Sequence, residues 1–313
     1  MSAQRVFIIG AGLAGLACAD VLSRAGIDVR VADKGRGPGG RLSSRRSPVG
    51  RFDHGAPFFS AQDLAFREQV SAWEAEGIVA PWRAGDEDVW VATPAMNSVI
   101  RHDAERLGAE FGLEIAAPKR RGAVWDLYTV GGQAVAEADI VVCAAPAPQT
   151  ADRLPEGALK DTANAVIYAP QWTLMVGLDP APASAFPDYQ SWGDGPFEKA
   201  IAQAARPGRE DGSRLVFYAS QAWSTEHLEM DKDEAALSLL RLAEEAGYDL
   251  PDPAYLAAQR WRYSRVIKPV GNPFGLDLDN GLATCGDWHL GPDCEHAWLS
   301  GHSLGRRLAE VIC

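Results

Sequence analysis

The sequence predicts an α/β chain: a parallel βαβ unit opens a first domain, an α+β domain with a mixed or antiparallel sheet is inserted, and the C-terminal segment returns to the first domain. Three observations predict it. The apolar run Arg5–Ile9 leads into regularly spaced glycines and an amphipathic segment. From about Pro146, Pro and Trp become frequent and aromatic or β-branched runs appear. Far downstream, a short apolar run ending in Gly286-Asp287 precedes a final helical segment.

The elements follow in order. A strand over 5–9 leads into a helix from Gly12 to Arg24, with Leu13, Leu16, Ala17 and Val21 on one face. Gly26 ends that helix, and residues 28–32 form a second strand. A basic glycine-rich loop runs from Lys34 to Arg46. Helices are expected over 64–76 and 96–111, with a Trp-rich connection between them, and strands near 123–130 and 140–145. The runs 172–178, 214–220 and 257–263 suggest an antiparallel sheet. A helix over 233–246 turns Leu237, Leu240 and Ala243 inward. A strand over 282–285 and a helix from about Glu295 to Ile312 complete the chain.

Composition narrows the function classes. Of 313 residues, 47% are hydrophobic and 23% charged, which is globular usage and excludes disordered and fibrous classes. A formal net charge of −12 argues against nucleic acid or an anionic membrane as partner. The five cysteines (Cys18, Cys143, Cys285, Cys294, Cys313) form no C-x-x-C pair, so neither a disulfide framework nor a ribbon-type zinc site is expected, and a reducing cytoplasm fits. No stretch reaches the roughly 20 apolar residues that span a bilayer. The apolar start resembles a signal core, but its glycine spacing and the following Asp20 and Arg24 fit a nucleotide motif instead. Cys313, as the last residue here, does not sit where a C-a-a-X box places its cysteine.

Three motifs carry chemistry. In Gly10-Ala11-Gly12-Leu13-Ala14-Gly15 the first glycine permits the turn out of the strand, the second lets a pyrophosphate approach the backbone, and the third lets helix and strand pack closely. The free N–H groups of the helix start then bind phosphate. Asp33 closes the second strand, where a carboxylate accepts from ribose hydroxyls. That motif alone serves FAD or a nicotinamide dinucleotide equally. The second motif, Lys34-Gly35-Arg36-Gly37-Pro38-Gly39-Gly40-Arg41, favours FAD: paired glycines admit a second part of an extended ligand, and Arg36 and Arg41 neutralise pyrophosphate charge. The turn Asp53-His54-Gly55-Ala56 is placed beside the same ligand. The third motif is Gly286-Asp287-Trp288, followed by Glu295-His296-Ala297. Its carboxylate suits a ribityl hydroxyl, and the helix start aims its positive end at the flavin pyrimidine. As bland alternatives, Asp287 is a helix or turn cap and the basic loop a solvated patch.

With these motifs the sequence resembles FAD-dependent oxidoreductases of the amine-oxidase superfamily, and within them the bacterial renalase-like branch. Gly39-Gly40-Arg41-Leu42-Ser43-Ser44-Arg45-Arg46 resembles that branch's G-G-R-[ML]-S-[ST]-[KR]-R signature, and residues 286–288 with 297–301 resemble its C-terminal one. Residues 260–263 and Ala144-Ala145-Pro146 are similar to further family elements, Ala145 being placed at the cofactor. The resemblance implies a GR2-type Rossmann-like FAD-binding domain (1–60, 93–147 and 278–313), a substrate domain (61–92 and 148–277), and non-covalent FAD. It further implies oxidation of the 2- and 6-dihydro isomers of NAD(P)H to NAD(P)+, with O2 as acceptor and hydrogen peroxide as product.

Hydride transfer from a dihydropyridine abstracts no proton from carbon, so an aromatic pocket without an acid–base dyad is expected. Trp288, His289, Tyr263, Trp172 and His54 are the candidates for its walls, with core packing as the alternative for each. Amine oxidases of the superfamily usually carry a lysine on a substrate-domain strand near the flavin. The segment 171–176 has none, and Lys160 and Lys268 are the nearest substitutes. A flavin amine or amino-acid oxidase and a non-catalytic FAD-binding redox sensor are the alternative functions. A plain nicotinamide dehydrogenase would leave two motifs unexplained. His289, Asp293, Cys294, Glu295 and His296 fit no tetrahedral metal spacing, and no metal is expected.

Overall fold

The computed structural model describes residues 4–181 and 186–312; Cys313 lies outside them. The chain opens with β1 (Arg5–Ile9), α1 (Leu13–Arg24) and β2 (Asp28–Asp33), then the hairpin β3 (Ser44–Ser47) and β4 (Gly50–Asp53). Next come α2 (Leu64–Ala75), the hairpin β5 (Val79–Ala84) and β6 (Glu87–Ala92), α3 (Ser98–Arg106) and β7 (Glu110–Phe111). Strands β8 (Lys119–Arg121), β9 (Val124–Tyr128), β10 (Ala134–Ala138) and β11 (Ile140–Cys143) precede the short helices α4 (Ala147–Ala151) and α5 (Ala158–Asn164). The inserted sheet is built from β12 (Ile167–Leu178), β13 (Tyr189–Ser191), β14 (Phe197–Ala202) and β15 (Ser213–Ala219), then α6 (Gln221–Glu226), α7 (Lys232–Glu245) and β16 (Tyr255–Lys268). The return consists of β17 (Gly275–Asp277), β18 (Leu282–Thr284) and α8 (Cys294–Ile312).

The first sheet has the order β17-β18-β11-β1-β2-β7. Every pairing from β18 across to β7 is parallel, and β17 joins β18 antiparallel at the edge. Its central strands β1 and β11 are nearly continuous apolar runs because both faces are covered. On one face α1 and α8 lie against each other so closely that a Cβ at Gly301 would overlap the Ala14 carbonyl. Glycine is therefore required there, and the C-terminal helix is docked on the first one.

The second sheet, β13-β14-β15-β12-β16, is wholly antiparallel. One face buries Trp172, Leu174, Val176, Leu215 and Phe217 against Leu239 and Ala243 of α7. The other face packs Met175, Val216 and Tyr218 around Phe52 of β4. Alternation along each strand thus divides the sheet into a helix-covered side and a side facing the first domain.

A buried charge cluster pins that seam. Asp53, 2% exposed, accepts from the Arg209 guanidinium at 2.7 Å, lies 3.1 Å from Arg206, and also takes the Ser44 hydroxyl and the Met96 amide. Burial alone would raise its pKa, but the two guanidinium groups outweigh that and hold it below the usual carboxylate range.

Several expectations are corrected. The helix expected over 96–111 ends at Arg106; Gly108 turns the chain at φ +65°, and Glu110–Phe111 pairs with β2 instead. In α7 Ala243 is buried and Leu240 packs on the core as expected, but Leu237 is 50% exposed; the buried stripe is Ala235, Ala236, Leu239 and Ala243, about a quarter turn from the expected face. The segment 61–92, assigned to the substrate domain, places Phe66, Val70, Trp73, Val79 and Val91 in the same core as α1 and α8. Among the described residues no helix is long and apolar enough to cross a membrane.

Candidate cofactor and substrate cavity

At the carboxyl ends of β1 and β2, the parallel strands open onto a cavity of about 1120 Å3 that continues beneath the antiparallel sheet. Ligands in open α/β sheets bind at this end. The volume exceeds the usual range of about 300–1,000 Å3 for one small-molecule site.

On the nucleotide side the wall is largely backbone. Gly10, Gly12, Leu13 and Ala14 line it. The α1 cap, Gly12, lacks a side chain to satisfy the first-turn N–H groups, and a Cβ there would meet nothing within 4 Å, so the helix start faces open space. Gly15 does not line the cavity; it seats α1 on β1, where a Cβ would overlap the Gly10 carbonyl. Asp33 holds the turn by accepting from the Ala11 amide at 2.9 Å and the Gly35 amide at 2.7 Å. Lys34, Arg36, Gly39, Gly40, Gly55, Ala56 and Ala145 continue the wall.

Arg41 joins both ends of the chain. Its guanidinium donates to both oxygens of Asp287, at 2.5 and 2.6 Å, and to the Ser264 carbonyl on β16 at 3.3 Å. Burial opposes the Arg41 charge, but Asp287 more than compensates and the pKa is raised. Gly286, Asp287 and Ala297 face the same cavity, so the third sequence motif lies where the first one opens. This open, glycine-lined run, with free helix amides and a ribose-height carboxylate, fits an extended dinucleotide such as FAD.

The sheet side is made of side chains. Register carries one row across four strands: Lys199 pairs with Tyr218, Tyr218 with Thr173, and Thr173 with Gln259. Gln171 and Trp261 form the next row. All but the buried Thr173 line the cavity, as does Tyr263, whose ring meets Tyr168 edge-on at 5.5 Å.

Other expected residues stand elsewhere. Trp172 is fully buried on the opposite face, its indole donating to the His227 carbonyl, because strand parity gives the cavity side to Gln171 and Thr173. Trp288 is 0% exposed and donates to the Ala145 carbonyl, and His289 stacks on it at 3.9 Å. Both His289 nitrogens are used, by Thr284 and by the Asn272 carbonyl, and burial pushes its pKa down to about 4. Neither residue lines the cavity.

His54 sits behind the wall. It stacks on Trp261 at 5.4 Å, while its carbonyl takes the Trp261 indole and the Thr173 hydroxyl. Burial pushes its pKa to about 4, and Nδ1 has no partner among the described residues. Asp53 belongs to the domain seam. Glu295 caps the Gln62 and Asp63 amides before α2, and His296 packs on Gly291 beside Asp293.

Sequence reasoning missed Lys199, Lys232, Tyr218 and Gln171. Lys199 was detectable as the one cation within the mostly apolar β14. The named substitutes do not serve: Lys160 pairs with Glu156, and neither it nor Lys268 lines the cavity. Cys143 and Cys285 are fully buried and their thiols are pushed up, to about 12 for Cys143, which suits packing rather than nucleophilic attack. Among the described residues no group of three or more His, Cys, Asp or Glu could hold a metal ion.

Comparison with known proteins places this architecture. A family model described as an NAD(P)-binding Rossmann-like domain matches residues 8–70. Renalase of Mus musculus is 25% identical over 317 residues, covering 91% of this chain and 92% of that protein. An Exiguobacterium sp. 255-15 protein assigned as a protoporphyrinogen oxidase superposes with a TM-score of 0.78 at 13% identity, over 99% of this chain and 100% of that one. Putrescine oxidase bound to putrescine gives 0.69 at 13% identity, covering 99% and 98%. Cyclohexylamine oxidase from Brevibacterium oxydans IH-35A gives 0.67 at 11% identity, covering 98% and 99%. At such identities these structures establish the fold alone.

Proposed function

We propose that this chain, a renalase-like flavin-dependent oxidoreductase, binds FAD non-covalently and oxidises 2- and 6-dihydro isomers of NAD(P)H to NAD(P)+, with O2 as electron acceptor. One observation carries the reading: a single cavity runs from the Gly10–Ala14 turn, past Arg41 and Asp287, to Trp261 and Tyr263 under the second sheet. It offers a dinucleotide cradle and a second compartment in one continuous space.

When bound, FAD supplies a two-electron acceptor that takes the hydride and passes the pair to O2, giving hydrogen peroxide. The chain's own residues do the rest. The α1 amides and Arg36 hold the pyrophosphate, Asp33 the adenosine ribose, and Gly286 and Asp287 the ribityl segment. Trp261 and Tyr263 form an aromatic wall against which a flat ring is aligned. No histidine lines the cavity among the described residues, and the roof side chains Gln171, Tyr218 and Gln259 are neutral. Such a lining suits a donor that becomes aromatic by losing hydride and needs no base at carbon.

The test is anaerobic mixing of the flavin-loaded protein with 6-dihydro-NAD. Bleaching of the oxidised flavin band, with NAD+ formed in equal amount, is expected. A flavin that stays oxidised with this donor but bleaches with an amine panel would transfer the chain to the amine oxidases in function as well as fold.

A further inference from the structure

The cavity is unusual in charge. In a chain of formal charge −12, its lining carries nine Lys and Arg against four Asp and Glu. Much of that positive charge is already matched within the protein. Arg41 is held by Asp287, Arg260 and Arg262 share Glu229, and Arg265 pairs with Glu198.

Two sheet-side cations are different. Lys199 faces the cavity over the Phe58 ring at 5.3 Å and, among the described residues, has no carboxylate within 4 Å and no hydrogen-bond acceptor. Burial lowers its pKa, as expected of a cation kept from water without a counter-ion. Glu198, itself paired with Arg265, and more weakly Glu87 reach it only through the longer-range field, and the Arg265 charge opposes them. Lys232, the first residue of α7, lines the cavity beside Trp261, close enough for its charge to act on His54 behind that ring. The neighbouring Asp231 carboxylate is turned onto the Asp233 and Glu234 amides as a helix cap.

For Lys199, an unpaired and partly desolvated ammonium is costly unless a ligand supplies the missing charge, while Lys232, exposed at the cavity edge, adds a second positive charge without that cost. From this geometry we infer that Lys199 and Lys232 sort substrates by charge: they bind the phosphate groups of an anionic nucleotide donor and repel ammonium substrates. This rests on the dihydronicotinamide reading and deepens it. The ring is aligned by Trp261 and Tyr263, while the two lysines select what the ring is attached to. The amines named for the structural neighbours, cationic at neutral pH, would meet two uncompensated positive charges.

The experiment compares three donors sharing one 6-dihydronicotinamide ring: the neutral riboside, the mononucleotide and the dinucleotide. Anaerobic flavin reduction is followed in the flavin-loaded wild type, Lys199→Met, Lys232→Met and the double variant. The wild type is expected to prefer both nucleotides over the riboside by about tenfold or more in kred/Kd, the scale of one charge-assisted hydrogen bond. The preference should shrink with added salt, collapse in the double variant with the riboside rate unchanged, and return in part with Lys199→Arg. Equal preference in wild type and double variant overturns the inference while leaving the reaction intact. If no donor reduces the flavin, the reaction itself fails. Titration of oxidised protein with NAD+, nicotinamide mononucleotide and nicotinamide riboside then still decides for the lysines: tighter binding of the phosphorylated ligands, lost in the double variant, supports them, and equal affinities overturn them.

Discussion

The two walls of the cavity are built by opposite means. The nucleotide side is backbone: glycines without side chains, helix amides, and one carboxylate tying down a turn. The sheet side is a grid of side chains whose facing is set by strand parity and whose neighbours are set by register. A backbone wall fixes where a ligand lies and tolerates few changes. A side-chain wall can exchange its chemistry while the fold stays the same, which is how relatives with this architecture act on different substrates.

The sharpest way to break the comparison is at the seam between the two. Asp53→Ala leaves Arg206 and Arg209 buried without a carboxylate, and urea denaturation should show a loss of about 3–5 kcal/mol. A loss under about 1 kcal/mol would mean the seam is held by apolar packing alone.

Acid probes each wall through a different histidine. His54 and His289 have folded pKa values near 4, below the value of about 6.5 expected when unfolded. As pH falls below 6.5 the unfolded chain binds protons that the folded chain refuses, so stability declines and the decline ends near pH 4. Each histidine contributes a loss on the order of 3 kcal/mol. The melting temperature of His54→Gln should be less acid-sensitive through its effect on the sheet side, and that of His289→Gln through the nucleotide side. A slope unchanged in both variants would show that neither ring is buried neutral. The stabilisation from Asp53 follows the opposite rule: it is present above the ordinary Asp pKa and lost only as pH falls through its depressed value.

Gly15→Ala tests the backbone wall from behind, at the seat of α1 on β1. A methyl group overlapping the Gly10 carbonyl should cost about 1–3 kcal/mol and weaken flavin retention, read from thermal unfolding and the absorbance of protein after gel filtration. The smallest effect is expected far from both walls: Leu237→Ala should change stability by no more than about 0.5 kcal/mol, because that side chain is half exposed.

The same contrast explains what was legible in the sequence. Glycine spacing records backbone geometry, so Gly10, Gly12, Gly39, Gly40 and Gly286 could be located from their spacing alone, and they do line one cavity. The sheet side was not readable in this way. Trp172 stood out by residue type, yet its place depended on a parity that only β16 and β15, dozens of residues away, could set. Trp288 and His289 follow a cavity residue in sequence, but a short helical turn over Asp287–His289 carries both rings into the interior. Asp53 resembled a ligand contact because its two arginine partners, Arg206 and Arg209, lie far downstream on the other domain. Lys199 was hidden by the opposite error, since a lysine in a strand suggests solvent.

The packing of α8 on α1 sets an order of assembly. The flank of α1 that meets Gly301 has its cover in α8, which lies far downstream in sequence. During synthesis that flank stays uncovered until α8 has been made, and Arg41 lacks its carboxylate until Asp287 has been made, so the dinucleotide cradle closes only after both segments emerge.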